Sequence, residues 1–168
     1  MALKLRTQPL GEGQNYRRIL AAKLWLRDNG AMIRPIMKME AFLASPCEAC
    51  TPQDAPLARD LAETLEAHRE RCAGLGANMV GVRKRAIAFF DEAGQTRVMF
   101  NPEIVSHAGP YEAEEGCLSL QGTRKAIRYK RIRVHYQDAD FVQHEESFSG
   151  FVAQVVQHEV DHCNSVVI

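Results

Sequence analysis

Gln157-His158-Glu159-Val160-Asp161-His162 places two histidines four residues apart, with a glutamate directly after the first. On a helix, residues four apart share a face with about 5–6 Å between Cβ atoms, so both imidazoles can turn toward one metal ion. The glutamate is then positioned to take a proton from water that the cation has acidified. A helix end that merely carries histidines would show the same letters, so the reading needs a helix under the pair and a further ligand.

The helix is legible on both sides of the run. Phe151, Val155, His158 and His162 recur at steps of three and four, which predicts a helix from about Gly150 to Cys163. Upstream, the runs Ala86 to Phe90, Thr96 to Phe100, Ile127 to Tyr136 and Glu146 to Phe151 are rich in branched and aromatic residues. Ile132, Val134 and Tyr136 alternate with Arg131, Arg133 and His135, the period of a strand with one wet face. Turn residues separate the runs at Asp91 to Gly94, Asn101-Pro102 and Gln137 to Asp140. Leu57, Leu61, Leu65 and His68 predict an earlier helix from about Pro56 to Arg71. Helix, strands and a last helix make an α+β domain, with antiparallel sheets packed around the C-terminal helix that carries HExxH.

At 168 residues, 46% of them hydrophobic, the chain has the length of one domain. Residues 37–168 are expected to form it. Residues 1–36 read as an appendage, because the basic amphipathic stretch Tyr16 to Arg27 is followed by the turn signal Asp28-Asn29-Gly30. Lysine plus arginine equals aspartate plus glutamate at 21 each, so no net field draws the molecule to nucleic acid or an anionic membrane. No apolar run approaches a membrane span and the N-terminus has no secretory core, so a cytoplasmic location is expected. Five cysteines, an odd set, direct attention to ligands and buried thiols rather than disulfides.

One of those cysteines offers the further ligand. Cys117, in Glu115-Gly116-Cys117-Leu118-Ser119, sits in a turn-like segment and can complete a site of three protein ligands with one open position. Together, EGCLSL at 115–120 and QHEVDH at 157–162 resemble the second and third signature motifs of the peptide deformylases, in that family's order. The resemblance runs from about Met37 to Ile168. It implies Cys117, His158 and His162 as ligands of one divalent ion, iron(II) in the cell, with zinc, nickel or cobalt able to take the same place. Glu159 becomes the general acid/base and the Leu118 N–H an oxyanion donor. Gly76, Leu75, Val155 and Arg124 become substrate contacts, with Val156 a further candidate wall and Glu115 an alternative partner for Arg124. The implied substrate is an N-formylmethionyl peptide, met during transient contact with the ribosome.

The first motif of the family is met only in part by Gly74 to Gly81. Its two alanines fall on Asn78 and Met79 and its glutamine on Gly81. Losing an oxyanion donor costs on the order of 3 kcal/mol of transition-state stabilisation, so reduced activity is expected, with Asn78 as the nearest replacement amide. Ser165 stands where a glycine usually follows the third motif. Two other readings remain open: a deformylase-like protein that binds metal or peptide with little turnover, and a zinc endopeptidase, although those usually take a third ligand from histidine or glutamate. A separate metal or redox role for Cys47-Glu48-Ala49-Cys50 is weighed against two loop cysteines.

Overall fold

The computed structural model describes residues 32–168; the N-terminal segment expected as an appendage lies, through residue 31, outside the described residues. Helices α1 (Glu40–Leu43), α2 (Leu57–Ala67) and α3 (Gly150–Cys163) flank five strands, β1 (Gly74–Gly76), β2 (Ala86–Phe90), β3 (Thr96–Glu115), β4 (Arg124–Gln137) and β5 (Gln143–Ser149). The strands form one antiparallel sheet in the order of the chain. This is the expected α+β arrangement, as a single meander closed by the terminal helix.

Local chemistry explains the elements. Thr51 donates its backbone N–H to Asp54 Oδ2 at 2.8 Å, which tightens the turn before α2. Leu57, Leu61 and Leu65 bury one stripe of that helix. It ends at Ala67, earlier than the expected Arg71, because the next residues close a tight turn through Arg71 N–H to the His68 carbonyl at 2.8 Å. The β2–β3 turn is held by the Asp91 carboxylate, which accepts from Ala93 and Gln95 N–H groups at 2.9 and 2.8 Å.

Asn101-Pro102 does not end a strand as expected. β3 runs through it with register shifts between Phe100/Glu103 and Ile104/Ser106, and Asn101 takes φ +51. The residues that signal a turn are used here for a bulge, which bends a strand instead of reversing it. Asn101 is fastened there, accepting the Cys50 N–H at 2.7 Å and donating to the Cys50 carbonyl at 3.0 Å.

The inner strand β2 buries both faces. Ala86, Ala88 and Phe90 join Leu57, Leu61, Leu65, Leu75 and Phe100 on the α2 side. Ile87 and Phe89 join Met99, Val134, Phe148, Val152 and Val156 on the α3 side. Every β2 side chain is therefore buried, each large one contributing about 1.5–3 kcal/mol. Residues ahead of the expected domain start also pack on it: Arg34 pairs with Asp60 at 2.6 Å and Ile36 lies against the α2-side core.

Candidate metal centre

β3 ends at Glu115, and the loop that follows carries Cys117 toward α3, where His158 and His162 stand one turn apart. One ligand atom from each of Cys117, His158 and His162 lies within 4.8 Å of the others, and all three residues are buried. Cys117 Sγ is 3.4 Å from His162 Nε2. Two ligands at tetrahedral angles on a zinc-sized ion would stand about 3.6 Å apart, so the spacing suits a shared cation. The imidazole rings lie 5.1 Å apart, centre to centre, at 69°.

The histidines are prepared as neutral ligands. Burial lowers the His158 pKa to about 4, against the opposing pull of Glu115, and burial together with His158 holds His162 well below its usual range. His158 Nδ1 donates to Glu115 Oε2 at 2.9 Å, which leaves its Nε2 lone pair for an ion. Glu115 is anchored in turn. Arg128 grips both its oxygens at 2.9 and 2.8 Å and reaches Asp161 at 2.7 Å, and Gln154 donates to Glu115 Oε1 at 2.9 Å. Burial opposes ionisation of Glu115, but His158 and Arg128 outweigh it and hold the carboxyl far below the usual range. Burial pushes the Cys117 thiol up, while the Ser119 N–H, 3.4 Å from Sγ, works the other way.

Glu159 is fully buried, and neither carboxylate oxygen has a hydrogen-bond partner among the described residues. Burial raises its pKa to about 7. It lies against the glycines of β1: a Cβ on Gly74 would come within 2.7 Å of Oε1, and one on Gly76 within 3.6 Å of Oε2. An unpartnered buried carboxyl with a near-neutral pKa beside two metal-ready imidazoles is suited to moving protons for a bound ligand.

The remaining expected residues divide. Leu118 follows Cys117 at the site, 6% exposed, and its carbonyl accepts from Lys38 Nζ at 2.9 Å. Gly76 backs the site, its absent Cβ leaving 3.1 Å to His162 Cβ. Leu75, Val155 and Val156 are all packed in the core. Arg124 is half-exposed, 3.7 Å from Glu40; the Glu115 carboxylate offered as its partner belongs to Arg128, four residues further along the same face of β4. Asn78 spends its amide N–H groups on the carbonyls of Leu43 and His162, at 3.1 and 3.0 Å. Gly81 ends a short helical turn at φ +80, a conformation that favours glycine. Ser165 likewise keeps the glycine conformation of its position, at φ +63. Cys47 and Cys50 are free thiols contacting different carbonyls, those of His162 and Arg85.

Arg128 and Gln154 carry no motif in the sequence, and Gly74 enters there only as the first glycine of the partly met motif. A signal for Arg128 existed in its strand phase, shared with buried Ile132 and Val134, where a cation needs a buried partner.

The family model for polypeptide deformylase matches residues 33–168. A peptide deformylase of Clostridium beijerinckii is 46% identical over 138 residues, covering 82% of this chain and all of the relative. The crystal structure of peptide deformylase from Thermotoga maritima superposes with a TM-score of 0.73 at 30% identity, over 81% of this chain and 95% of that one. A Met-Ala-Ser-bound class I type b peptide deformylase from Acinetobacter baumannii gives 0.72 at 26% identity, over 82% and 97%. Sheet and terminal helix agree with these solved relatives, and the chain belongs to the polypeptide deformylase family.

Proposed function

We propose that this protein is a metal-dependent hydrolase that removes the formyl group from the N-terminal methionine of newly made polypeptides. The observation that carries the reading is the convergence of Cys117, His158 and His162 on one buried point beside the unpartnered carboxyl of Glu159. The three side chains would hold one divalent ion, iron(II) in the cell, with zinc, nickel or cobalt as substitutes. When bound, the ion supplies Lewis acidity toward water and the formyl oxygen.

The protein's own groups do the rest. Glu159 takes a proton from the attacking water and returns it to the departing amine, so formamide and water become formate and a free amino terminus. The Leu118 N–H donates to the oxygen on which negative charge develops. Gly76, without a Cβ, lets a peptide backbone approach β1, and Arg124 meets a more distal carbonyl or carboxylate, while Leu75 and Val155, each 1% exposed, support the site from the core. That a solved relative holds Met-Ala-Ser, a deformylated product in form, supports a peptide of this kind as ligand.

Turnover is reduced by Gly81, which has no side-chain amide and whose neighbour Asn78 has both amide N–H groups engaged elsewhere. The same observation favours a second reading, a deformylase-like protein that binds metal and peptide with little turnover. The protein works in the cytoplasm, meeting nascent chains in transient contact with the ribosome; among the described residues no helix is long and apolar enough to cross a membrane.

The test is formate release from formyl-Met-Ala by anaerobically iron-loaded protein, with Glu159→Ala as control. Release by the native chain and a loss of 100-fold or more, on the order expected for a general base, supports the hydrolase. Peptide binding without release in both proteins selects the second reading. Gly81→Gln separates the cause: turnover rises if the missing amide limits it, despite about 1–2 kcal/mol lost to the left-handed backbone.

A further inference from the structure

We infer that Lys38 is a positioning residue for the metal centre, acting on the Cys117 sulfur through one peptide group. The inference rests on the reading of Cys117 as a metal ligand. The Lys38 ammonium donates to the Leu118 carbonyl oxygen at 2.9 Å, across 80 residues of sequence. The N–H of that same peptide unit, belonging to Ser119, points at Cys117 Sγ, 3.4 Å away. Ammonium, carbonyl, amide N–H and sulfur thus form one chain of hydrogen bonds through a single planar group.

Planarity makes the coupling mechanical as well as electronic. The carbonyl and N–H of a peptide point in opposite directions, so fixing the oxygen fixes the hydrogen. Holding the Leu118 oxygen on Lys38 keeps the Ser119 N–H on the sulfur; a flip of this loop peptide would turn the hydrogen away. A cation on the carbonyl also polarises the amide and makes its N–H a stronger donor. A stronger hydrogen bond withdraws electron density from a thiolate and so governs how much it donates to an ion.

Lys38 is built into this place. Met37 N–H donates to the Met79 carbonyl at 2.8 Å, tying the segment that bears Lys38 to the turn behind the site. Met37 also lies over Gly81, its Cε 3.8 Å from where a Cβ would be. Lys38 makes none of the ion pairs found among the described residues; the residue is exposed, and its ammonium contacts the neutral carbonyl of buried Leu118.

The experiment is Co(II) substitution of the full chain, read by the sulfur-to-cobalt charge-transfer band and by the metal dissociation constant, in wild type, Lys38→Met and Lys38→Arg. A charge-transfer band in wild type reports the Cys117 ligand, and its absence overturns the metal-site reading itself. With the band present, Lys38→Met is expected to move it to longer wavelength, because a thiolate that loses its donor is easier to oxidise. Affinity is expected to fall by up to about 10-fold, the low end of the effect of removing an outer-shell partner, because Lys38 reaches the sulfur only through a peptide. Lys38→Arg, which can still donate to the carbonyl, is expected to restore the band. An unmoved band in Lys38→Met overturns the inference, even if thermal stability or affinity drops, since lost packing alone would do that.

Discussion

Gly74→Ala adds one methyl group and is expected to disable the site. Its Cβ would stand 2.6 Å from Val155 Cγ1, 2.7 Å from Glu159 Oε1 and 2.9 Å from Glu159 Cγ. Carbon atoms in contact sit about 3.5–4.0 Å apart, so a neighbour must yield by about 1 Å. Val155 is the poorer candidate, being β-branched, helical and 1% exposed, with one strongly preferred rotamer. Glu159 has no hydrogen bond to hold it and therefore moves. Displacing a reacting group by about 1 Å costs on the order of 100-fold in rate, and overpacking roughly 1–3 kcal/mol of stability. The backbone adds no penalty, since Gly74 is not among the residues with positive φ. The assay is kcat/KM for formate release, with metal content and Tm measured on the same samples. Wild-type kcat/KM in Gly74→Ala would refute the placement of Glu159 against β1.

Arg128→Met leaves the fully buried Glu115 without its cation and is expected to cost roughly 3–5 kcal/mol, seen as a Tm lowered by about 10 °C or more. Arg124→Met, at a half-exposed pair 3.7 Å long, should change Tm little; the reverse order would show the wrong arginine was chosen. Glu146 is held below the usual carboxylate range, first by its hydrogen bonds from Arg97. A depressed folded pKa gives stability that is present above the unfolded value of about 4.3 and lost as pH falls through the folded one. Glu146→Gln should therefore destabilise the fold at neutral pH by at most about 1 kcal/mol for this part-exposed pair, read as a lower Tm, with the gap to wild type closing in acid. A gap that persists at low pH would assign the loss to packing.

The parts legible in the sequence are those whose physics is periodic or local. The ends of α3 at Gly150 and Cys163 match the helical spacing of Phe151 to His162, and β2 coincides with its apolar run. The metal-ready triad was legible because a helical i,i+4 pair and one loop cysteine carry the chemistry in their residue types. What was not legible depends on register. Asn101-Pro102 carries turn residues, yet β4 and β5 continue the ladder past it, so it bulges instead of turning. Choosing Arg128 over Arg124 requires knowing which point of β4 lies beneath α3. Gly74 and Lys38 act only through neighbours more than 75 residues away, a relation that no local pattern encodes.

The sheet also sets the rotation of the helix that bears the site. β5 stops at Ser149, opposite Arg131, and the chain leaves the sheet as α3. The next outward-facing peptide of β4, at Tyr129, would there lose its strand partner. Gln157 supplies one from the helix: its Oε1 accepts the Tyr129 N–H and its Nε2 donates to the Tyr129 carbonyl, both at 2.9 Å. A side-chain amide thus stands in for one residue of the missing strand, satisfying two backbone groups that are costly to leave unpaired. The residue so fixed immediately precedes His158. A one-residue slip would turn the helix by about 100° and carry both imidazoles off Cys117, so the paired peptide of β4 fixes the phase of the metal centre.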